Sequence, residues 1–425
     1  MESLMFVVLV VLFILRTPIA FALGISALIY IVFYCPVSPV IVAQKMFTSI
    51  DSFPLTAIPF FILAGGIMEH GGLSKRLTDF GNSLVGFITG GLAHVSVVAS
   101  MFFAGISGAA AADTAAIGSV MIPAMARRGY PPSFAAALEA CAGTIGVMIP
   151  PSIPLIFYGV LASASITKLF LGGAVPGVIM GFTLMGISYA FAKKRGYPRE
   201  PFQGFRSFWI SFRRAFLALM IPVVVLGGII GGIVTPTEAA VIAVVYALIL
   251  GMVIFKELKT SDLYPILVRA MINSAQVLFI ISVASIFAWV ITRELIPHKI
   301  ATLLTDFSSH RWVILLIINI ILLIVGCFLD TGSALIIFVP VLLPLIEKLG
   351  IDLVYFGVVV VVNLAIGMVT PPVGICLFVS CSIAKIDLET ISRAVYPFVI
   401  GMMGVLFLIT YVPSLITWLP GLLGK

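Results

Sequence analysis

The chain has 425 residues, of which 61% are hydrophobic and only 10% are charged, and its mean hydropathy is +1.25. A soluble domain carries about 25% charged residues, so this composition excludes a soluble protein and predicts an all-α polytopic membrane protein. The net charge of +7 lies mostly in short loops, which indicates membrane topology and not nucleic-acid binding. The five cysteines have no metal-ligand spacing, so we expect reduced packing residues.

The first half of the chain, residues 1–192, is predicted to combine scaffold helices with a re-entrant helical hairpin and a broken helix. The predicted elements are helices at residues 4–15 and 19–34, a polar loop through Lys45 and Asp51, a span at 54–68, an interfacial segment at 69–79, a hairpin at about 88–127, a broken helix at about 131–162 and a span at 169–192. The second arm of the hairpin, at residues 114–125, is too short to cross a bilayer, so we expect it to turn back inside the membrane.

A basic linker, residues 193–214, separates this half from residues 215–425, which repeat the same plan. The predicted elements are helices at residues 217–234 and 239–255, a span at 265–291, a polar segment at 293–311, a second hairpin at about 311–347, a second broken helix at about 353–383 and a span at 394–415. The linker holds seven Lys or Arg residues and one Glu, so we expect it in the cytoplasm.

Each half contains an apolar segment that is interrupted by a glycine and a pair of prolines. Gly146 precedes Pro150-Pro151 in the first half, and Gly367 precedes Pro371-Pro372 in the second. Adjacent prolines remove two backbone donors and push the preceding residue out of helical geometry. Inside a membrane such a break is tolerated only where the freed backbone groups are bonded within the protein or line a cavity. The two breaks therefore predict the binding site of a transporter.

A shift of 221 residues superposes the central regions of the two halves without gaps, pairing Gly105 with Gly326 and Pro150 with Pro371. The paired basic residues place the base of the first hairpin in the cytoplasm and the base of the second hairpin outside. The two hairpins then enter from opposite faces of the membrane. The sequence thus predicts inverted repeats, the architecture of alternating-access transporters.

The hairpin tips and the breaks offer the oxygen atoms that a hard cation such as Na⁺ prefers, and helix N-termini that favour an anion. The candidate Na⁺ ligands are Ser107, Gly108, Thr144, Gly146, Met148, Gly326, Asp330, Thr331, Asn363, Gly367 and Thr370. The candidate substrate contacts are Ser107, Ala109, Asp113, Pro150, Thr331, Gly332 and Pro371. The alternatives are helix capping and close packing for the tips, capping or interhelical bonding for Asp113, and an interhelical hydrogen bond for Asn363.

Other polar groups favour structural readings. Thr235-Pro236-Thr237-Glu238 has the pattern of a capping box, and His94 among small residues is typical of a packed or interfacial histidine. Glu139 fits a buried functional carboxylate and an interfacial position equally well. The sequence contains no metalloprotease, nucleophile-elbow or P-loop motif, so we expect no enzyme and no nucleotide-driven transport by this chain.

Three runs of residues resemble the large membrane subunit of the tripartite ATP-independent periplasmic (TRAP) transporters. They are residues 103–118, Thr235-Pro236-Thr237-Glu238-Ala239-Ala240, and residues 363–374. The similarity extends over nearly the whole chain. One departure is Ala109, where the family often has a second serine at the first tip, so a side-chain contact there is in doubt.

The resemblance implies a bacterial inner-membrane protein with an elevator-type transport domain and Na⁺ as coupling ion, without an organic cofactor. It also implies a small four-helix membrane subunit, expected as a separate chain, and a periplasmic binding protein that delivers an organic anion. The family's substrates include C4-dicarboxylates and sialic acid. Two alternatives remain open: a self-contained Na⁺/carboxylate symporter that needs no binding protein, and an intramembrane enzyme for which only Ser107 and His94 could supply a catalytic pair.

Overall fold

The computed structural model describes residues 2–15, 17–35, 37–199, 201, 204–299, 302 and 310–423. All regular secondary structure of these residues is helical, as the composition predicts. Seven of the described helices are long and apolar enough to cross a membrane. Residues 300, 301 and 303–309 of the predicted polar segment at 293–311 lie outside the described residues, as do positions 200, 202 and 203 of the predicted linker.

The described residues of the first half form ten α-helices. They are α1 (Glu2–Ile14), α2 (Ile19–Tyr34), α3 (Val40–Ile50), α4 (Ala57–His70), α5 (Leu73–Val85), α6 (Gly91–Ser107), α7 (Ala110–Arg127), α8 (Pro132–Gly143), α9 (Ile153–Leu161) and α10 (Ile166–Arg195). Helices α6 and α7 form the first hairpin. Helices α8 and α9, with a 3₁₀ turn at Thr144–Val147 between them, form the first broken helix.

The described residues of the second half add nine helices. They are α11 (Gly204–Ile230), α12 (Pro236–Leu248), α13 (Thr260–Arg293), α14 (Arg311–Gly326), α15 (Thr331–Lys348), α16 (Leu353–Gly367), α17 (Ile375–Ala384), α18 (Leu388–Tyr411) and α19 (Ser414–Leu423). Helices α14 and α15 form the second hairpin, and α16 and α17 form the second broken helix. A π-helical turn, Ile249–Ile254, extends α12.

Three segments differ from the prediction. The predicted loop through Lys45 is the helix α3, which is held against α13 by hydrogen bonds from Ser282 to the Met46 carbonyl (2.8 Å) and from Ser285 to the Lys45 carbonyl (3.1 Å). The basic linker is mostly helical, because its charged residues extend the ends of α10 and α11. A short helix not predicted from the sequence, α19, packs against α10.

The hairpins and broken helices pack mainly against one another. Helix α7 packs on α8 and α17, α14 packs on α16, and α15 packs on α9, so the second hairpin contacts the first broken helix. A second layer consists of α2, α3, α4 and α12. Helix α13 joins the two layers, because it packs against α2, α3 and α4 on one side and against α15 on the other.

Local sequence signals fix several helix starts. Thr235 and Glu238 form the predicted capping box: the Thr235 hydroxyl accepts from the Glu238 amide (3.3 Å) and the Glu238 carboxylate from the Thr235 amide (2.7 Å). Asp330 caps α15 by accepting from the Ser333 amide (3.1 Å), and Asp352 caps α16 by accepting from the Tyr355 amide (2.7 Å). These caps satisfy amides at the helix starts that have no partner within their own helix.

Candidate functional site

The first tip (Ser107, Gly108 and Ala109) is joined to the first break through the main chain. Gly108 ends α6 with φ of +67°, and its carbonyl accepts from the Ile153 amide (3.3 Å). A Cβ atom on Gly108 would lie 2.7 Å from the Pro151 carbonyl oxygen. A larger residue is therefore excluded both by the left-handed backbone and by the approach of the break.

Asp113 lies in the first turn of α7 and is fully buried. The Ser107 hydroxyl donates to Asp113 Oδ1, whereas Oδ2 has no hydrogen-bond partner among the described residues. This oxygen points at the first break, since a Cβ atom on Gly146 would lie 1.9 Å from it. Asp113 therefore faces the break. The predicted contact with substrate would instead require it to face an open cavity.

The remaining predicted groups of the first break are buried. The Thr144 hydroxyl donates to the Cys141 carbonyl (2.7 Å), so the side chain is occupied by its own helix. Met148 and Pro150 are also buried, and the Pro150-Pro151 peptide bond is cis. Gly146, which has no side chain, is the residue of this turn that lies beside the carboxylate of Asp113.

The second tip (Asp330, Thr331 and Gly332) is joined to the second break in the same manner. The Cys327 carbonyl, at the end of the first arm, accepts from the Gly374 amide (3.2 Å). The Thr331 hydroxyl lies 3.0 Å from the sulfur of Met368. A Cβ atom on Gly332 would lie 3.1 Å from the ring of Phe157 on α9. The second tip therefore also contacts the first broken helix.

The other predicted groups of the second break bond or contact groups of the protein itself. Asn363 donates to the backbone and side-chain oxygens of Asn319 (2.9 and 2.8 Å), which is the interhelical bond given as the alternative. The Thr370 hydroxyl donates to the Ile366 carbonyl (2.7 Å). Gly326 and Gly367 are in backbone contact, because a Cβ on Gly367 would lie 2.5 Å from the Gly326 Cα.

A cavity of about 470 Å³ separates the two tips from α4 and α13. Its lining includes all six tip residues: Ser107, Gly108, Ala109, Asp330, Thr331 and Gly332. Asp113, Thr144, Gly146, Met148, Pro150, Gly326, Asn363, Gly367, Thr370 and Pro371 do not line it. The structure thus brings the two tips together around one space, and the breaks reach this space only through Val147 and Met368, which were not among the predicted site residues.

The same cavity is lined by polar residues that the sequence analysis did not select: Glu69, His70, Arg269, Asn273 and Gln276. Arg269, Asn273 and Gln276 belong to α13 and lie at i, i+4 and i+7, hence on one face of that helix. The sequence does indicate Arg269, because it is a single arginine within an apolar span, and an ionisable residue inside the membrane is a candidate for function.

The remaining candidate groups belong to the protein interior. Both carboxylate oxygens of Glu139 accept hydrogen bonds, one from the Ser96 hydroxyl and one from the Ser100 hydroxyl (3.1 Å). His94 is 2% exposed, and its Nε2 lies 3.2 Å from the Thr89 carbonyl. It begins the helix that Ser107 ends, 13 residues and about 20 Å away, so the two cannot act as a catalytic pair. No cluster of three His, Cys, Asp or Glu side chains suited to a metal occurs among the described residues.

A family model described as "Tripartite ATP-independent periplasmic transporter, DctM component" matches residues 6–415. The chain is 48% identical over 94% of its length to the isethionate TRAP transporter permease protein DctMQ of Oleidesulfovibrio alaskensis, and spans 63% of that protein. It is 39% identical to the C4-dicarboxylate TRAP transporter large permease protein DctM of Pseudomonas aeruginosa, covering 95% of this chain and 94% of that one.

The chain is also 39% identical to the sialic acid TRAP transporter large permease protein SiaM of Vibrio cholerae, covering 95% of each chain. Among solved structures, the YdaH transporter of Alcanivorax borkumensis matches with a TM-score of 0.62 and 16% identity, over 86% of this chain and 87% of that chain. At this identity the structural match shows a shared fold alone.

Proposed function

The chain belongs to the DctM component family of the TRAP transporters, and from this premise we propose that it is the permease for Na⁺-coupled uptake of a small organic anion delivered by a periplasmic binding protein. It is a multi-pass protein of the bacterial inner membrane and a transporter component, not an enzyme. The observation that carries the proposal is the cavity between two hairpin tips, backed by a buried carboxylate.

The names of the relatives support an anion as substrate without selecting one. They refer to isethionate, C4-dicarboxylates and sialic acid, which differ in size and shape. These molecules share an anionic group on a small polar body. We therefore place the substrate in this class and treat sialic acid and C4-dicarboxylates as two members of it.

Two helix N-termini support anion binding in the cavity. Helix α7 begins at Ala110 and α15 begins at Thr331, and residues of the first turn of each helix line the space between the tips. The first amides of a helix have no partner within it, and the helix dipole places partial positive charge there. An anionic group between the tips would meet both ends, as in other transporters with interrupted helices.

The environment of Asp113 supports a cation site behind the first tip. A buried carboxylate is costly unless it is paired, bonded or bound to a cation, and Asp113 Oδ2 has no hydrogen-bond partner in the described part of the chain. Ser107 and the backbone at Gly146 are beside it. These oxygen-rich surroundings fit a hard monovalent cation. We therefore assign Asp113 to the transported Na⁺, not to the anion.

For the second half, we propose a Na⁺ site between the second tip and the second break. Asp330 and Thr331 line the cavity there. Asn363 Oδ1 is buried without a hydrogen-bond donor among the described residues. The backbones of Gly326 and Gly367, at the ends of α14 and α16, are in contact with each other. The carbonyl groups of this contact would complete the ligand set.

We further propose that the two halves, residues 1–192 and 215–425, are inverted repeats and that transport uses an elevator motion. The shift that superposes the halves pairs Ile153 with Gly374, and the amide of each donates to a carbonyl of its own tip region. The hairpins and broken helices would move together against α2, α3, α4 and α12. The mutual packing of the hairpins and broken helices supports such a unit.

The partners follow from the family. We propose a small four-helix membrane subunit, whose counterpart is indicated by the joined name DctMQ of one relative, and a periplasmic binding protein. Large apolar side chains exposed on α1, α2 and α11, such as Ile14, Phe33 and Trp209, are available to lipid and to this subunit.

The proposal is tested by uptake into proteoliposomes that contain the permease and its small subunit, with the binding protein outside. Uptake of a panel of isethionate, succinate and N-acetylneuraminate is measured with and without an inward Na⁺ gradient. We expect one anion to accumulate only with Na⁺ and binding protein. Equal accumulation without the gradient would rule out Na⁺ coupling, and accumulation by the chain alone would indicate the self-contained symporter.

A further inference from the structure

The polar face of α13 lines one wall of the cavity and belongs to neither hairpin. Arg269, Asn273 and Gln276 line the cavity together from this one face. Helix α13 is among the helices long and apolar enough to cross the membrane, so a cation on its cavity face is costly unless it is used. Glu69 and His70, at the end of α4, line the same region.

Arg269 is available to a ligand. It is exposed to the cavity and makes no ion pair or side-chain hydrogen bond with any residue that the structure describes. Glu69 lines the same cavity but is not within ion-pair distance of it. The guanidinium is therefore not neutralised by its nearest acidic neighbour on α4. A planar guanidinium can hold a carboxylate or a sulfonate through two parallel hydrogen bonds.

The cavity reaches the end of α4 that lies beside the α12–α13 loop. Its α4 wall ends at His70, and the next residue, Gly71, lies against Gly251, which contacts Leu258. Lys256 and Lys259 flank that contact in the sequence. By the positive-inside rule this face is cytoplasmic, so Arg269 lies between the tips and the cytoplasm.

We propose that Arg269, assisted by the amides of Asn273 and Gln276, forms an exit subsite that binds the anionic group of the substrate in the cytoplasm-facing state. This inference rests on the proposed function and adds a substrate contact outside the tips. Because α13 packs against α2, α3 and α4, Arg269 would stay behind when the tips move. Arg269 thus binds the carboxylate or sulfonate only in the cytoplasm-facing state. There it competes with the N-termini of α7 and α15 for this anionic group.

The test is anion exchange in proteoliposomes that contain the permease and its small subunit, for wild type, Arg269→Gln, Arg269→Lys and the control Arg393→Gln. Arg393 is exposed and pairs with Glu389 on the surface (2.6 Å), outside the cavity. Exchange is started from the side bearing the α12–α13 loop, with the anions isethionate, succinate, N-acetylneuraminate and 2,3-diketo-L-gulonate. The half-saturating anion and Na⁺ concentrations are both measured.

We expect Arg269→Gln to raise the half-saturating anion concentration by about ten- to hundredfold, with Arg269→Lys in between and Arg393→Gln unchanged. The half-saturating Na⁺ concentration and the thermal unfolding midpoint without anion should stay at wild-type values, which a merely structural role would not produce. An unchanged anion concentration for Arg269→Gln would overturn the exit subsite. If the wild type accumulates none of the four anions with an inward Na⁺ gradient and the binding protein present, the proposed function would instead be overturned.

Discussion

Two buried carboxylates in the first half differ in how their oxygens are satisfied. Glu139 accepts hydrogen bonds on both oxygens, from Ser96 and Ser100, whereas Asp113 receives one bond from Ser107 and leaves Oδ2 without a donor in the described residues. A carboxylate with both oxygens bonded by hydroxyl groups is stabilised by the protein alone. A buried carboxylate with one oxygen that accepts no hydrogen bond is costly unless it binds a proton or a cation.

At the residue scale this contrast gives a matched pair of variants. We expect Asp113→Asn to raise the half-saturating Na⁺ concentration for uptake about tenfold or more, because the removed charge would contribute directly to the cation. Glu139→Gln keeps a similar shape and should shift this concentration far less. Both are measured by Na⁺ titration of uptake, with thermal unfolding as the test of folding. A normal Na⁺ response of Asp113→Asn would remove this carboxylate from the coupling site.

At the scale of elements, the second hairpin depends on a glycine contact with its broken helix. Gly326 ends α14 and Gly367 ends α16, and the two backbones approach within a distance that leaves no room for a Cβ. Small residues permit such close approach of membrane helices. The contact sets the distance from the second tip to the second break.

We expect Gly367→Ala to lower the free energy of unfolding by roughly 1–3 kcal/mol through overpacking and to reduce uptake, because α14 must move away from α16. The control is Gly186→Ala on the exposed side of α10, where an added Cβ meets nothing within 4 Å. The measurement is thermal unfolding of the purified protein in detergent together with uptake. Equal stability of the two variants would show that the contact is not tight in the membrane.

At the scale of the whole molecule, a second cavity of about 380 Å³ lies at the opposite end of α4 from His70, where the proposed static layer faces the start of α10, which packs on the first hairpin. It is lined by Ser52, Pro54 and Pro236 from the layer containing α4 and α12, and by Ser163 and Thr167 around the start of α10. An elevator motion must change the separation across this gap.

We expect Ser52→Cys with Thr167→Cys, in a background with Cys35→Ser, to be crosslinked by a short bifunctional thiol reagent at a rate that changes when Na⁺, substrate and binding protein are added. The other four cysteines are buried. Phe53→Cys with Thr237→Cys is the control, because the Thr237 hydroxyl bonds the Phe53 carbonyl (3.0 Å) within the static layer. Equal rates for the test pair in an actively transporting preparation would contradict the motion.

Much of this architecture is predictable from the sequence because proline, glycine and charge act locally. The double prolines predict both breaks, Gly108 and Asp330 predict the tips, and the Thr235 capping box is confirmed atom by atom. The helix α3 is not predictable in this way, because its polar residues suggest a loop and its helical state depends on contacts with α13.

The composition of the candidate site is less predictable than the fold. Asp113 and Asn363 stand near the tip and the break in sequence, but tertiary packing turns both away from the cavity. Arg269 is far from either hairpin in sequence and enters the cavity only because α13 packs against both α4 and α15. Periodicity within one helix does not contain that information.

The hydrogen bonds from Ile153 to Gly108 and from Gly374 to Cys327 bear on which substitutions this protein can tolerate in evolution. Both bonds join main-chain atoms, so they survive replacement of the side chains around them. The equivalent positions of the two breaks already differ, with Ile149 opposite Thr370 and Ala142 opposite Asn363. A lineage can thus alter which molecule it accepts while its two tips stay anchored, and proteins named for isethionate, dicarboxylates and sialic acid can share one scaffold.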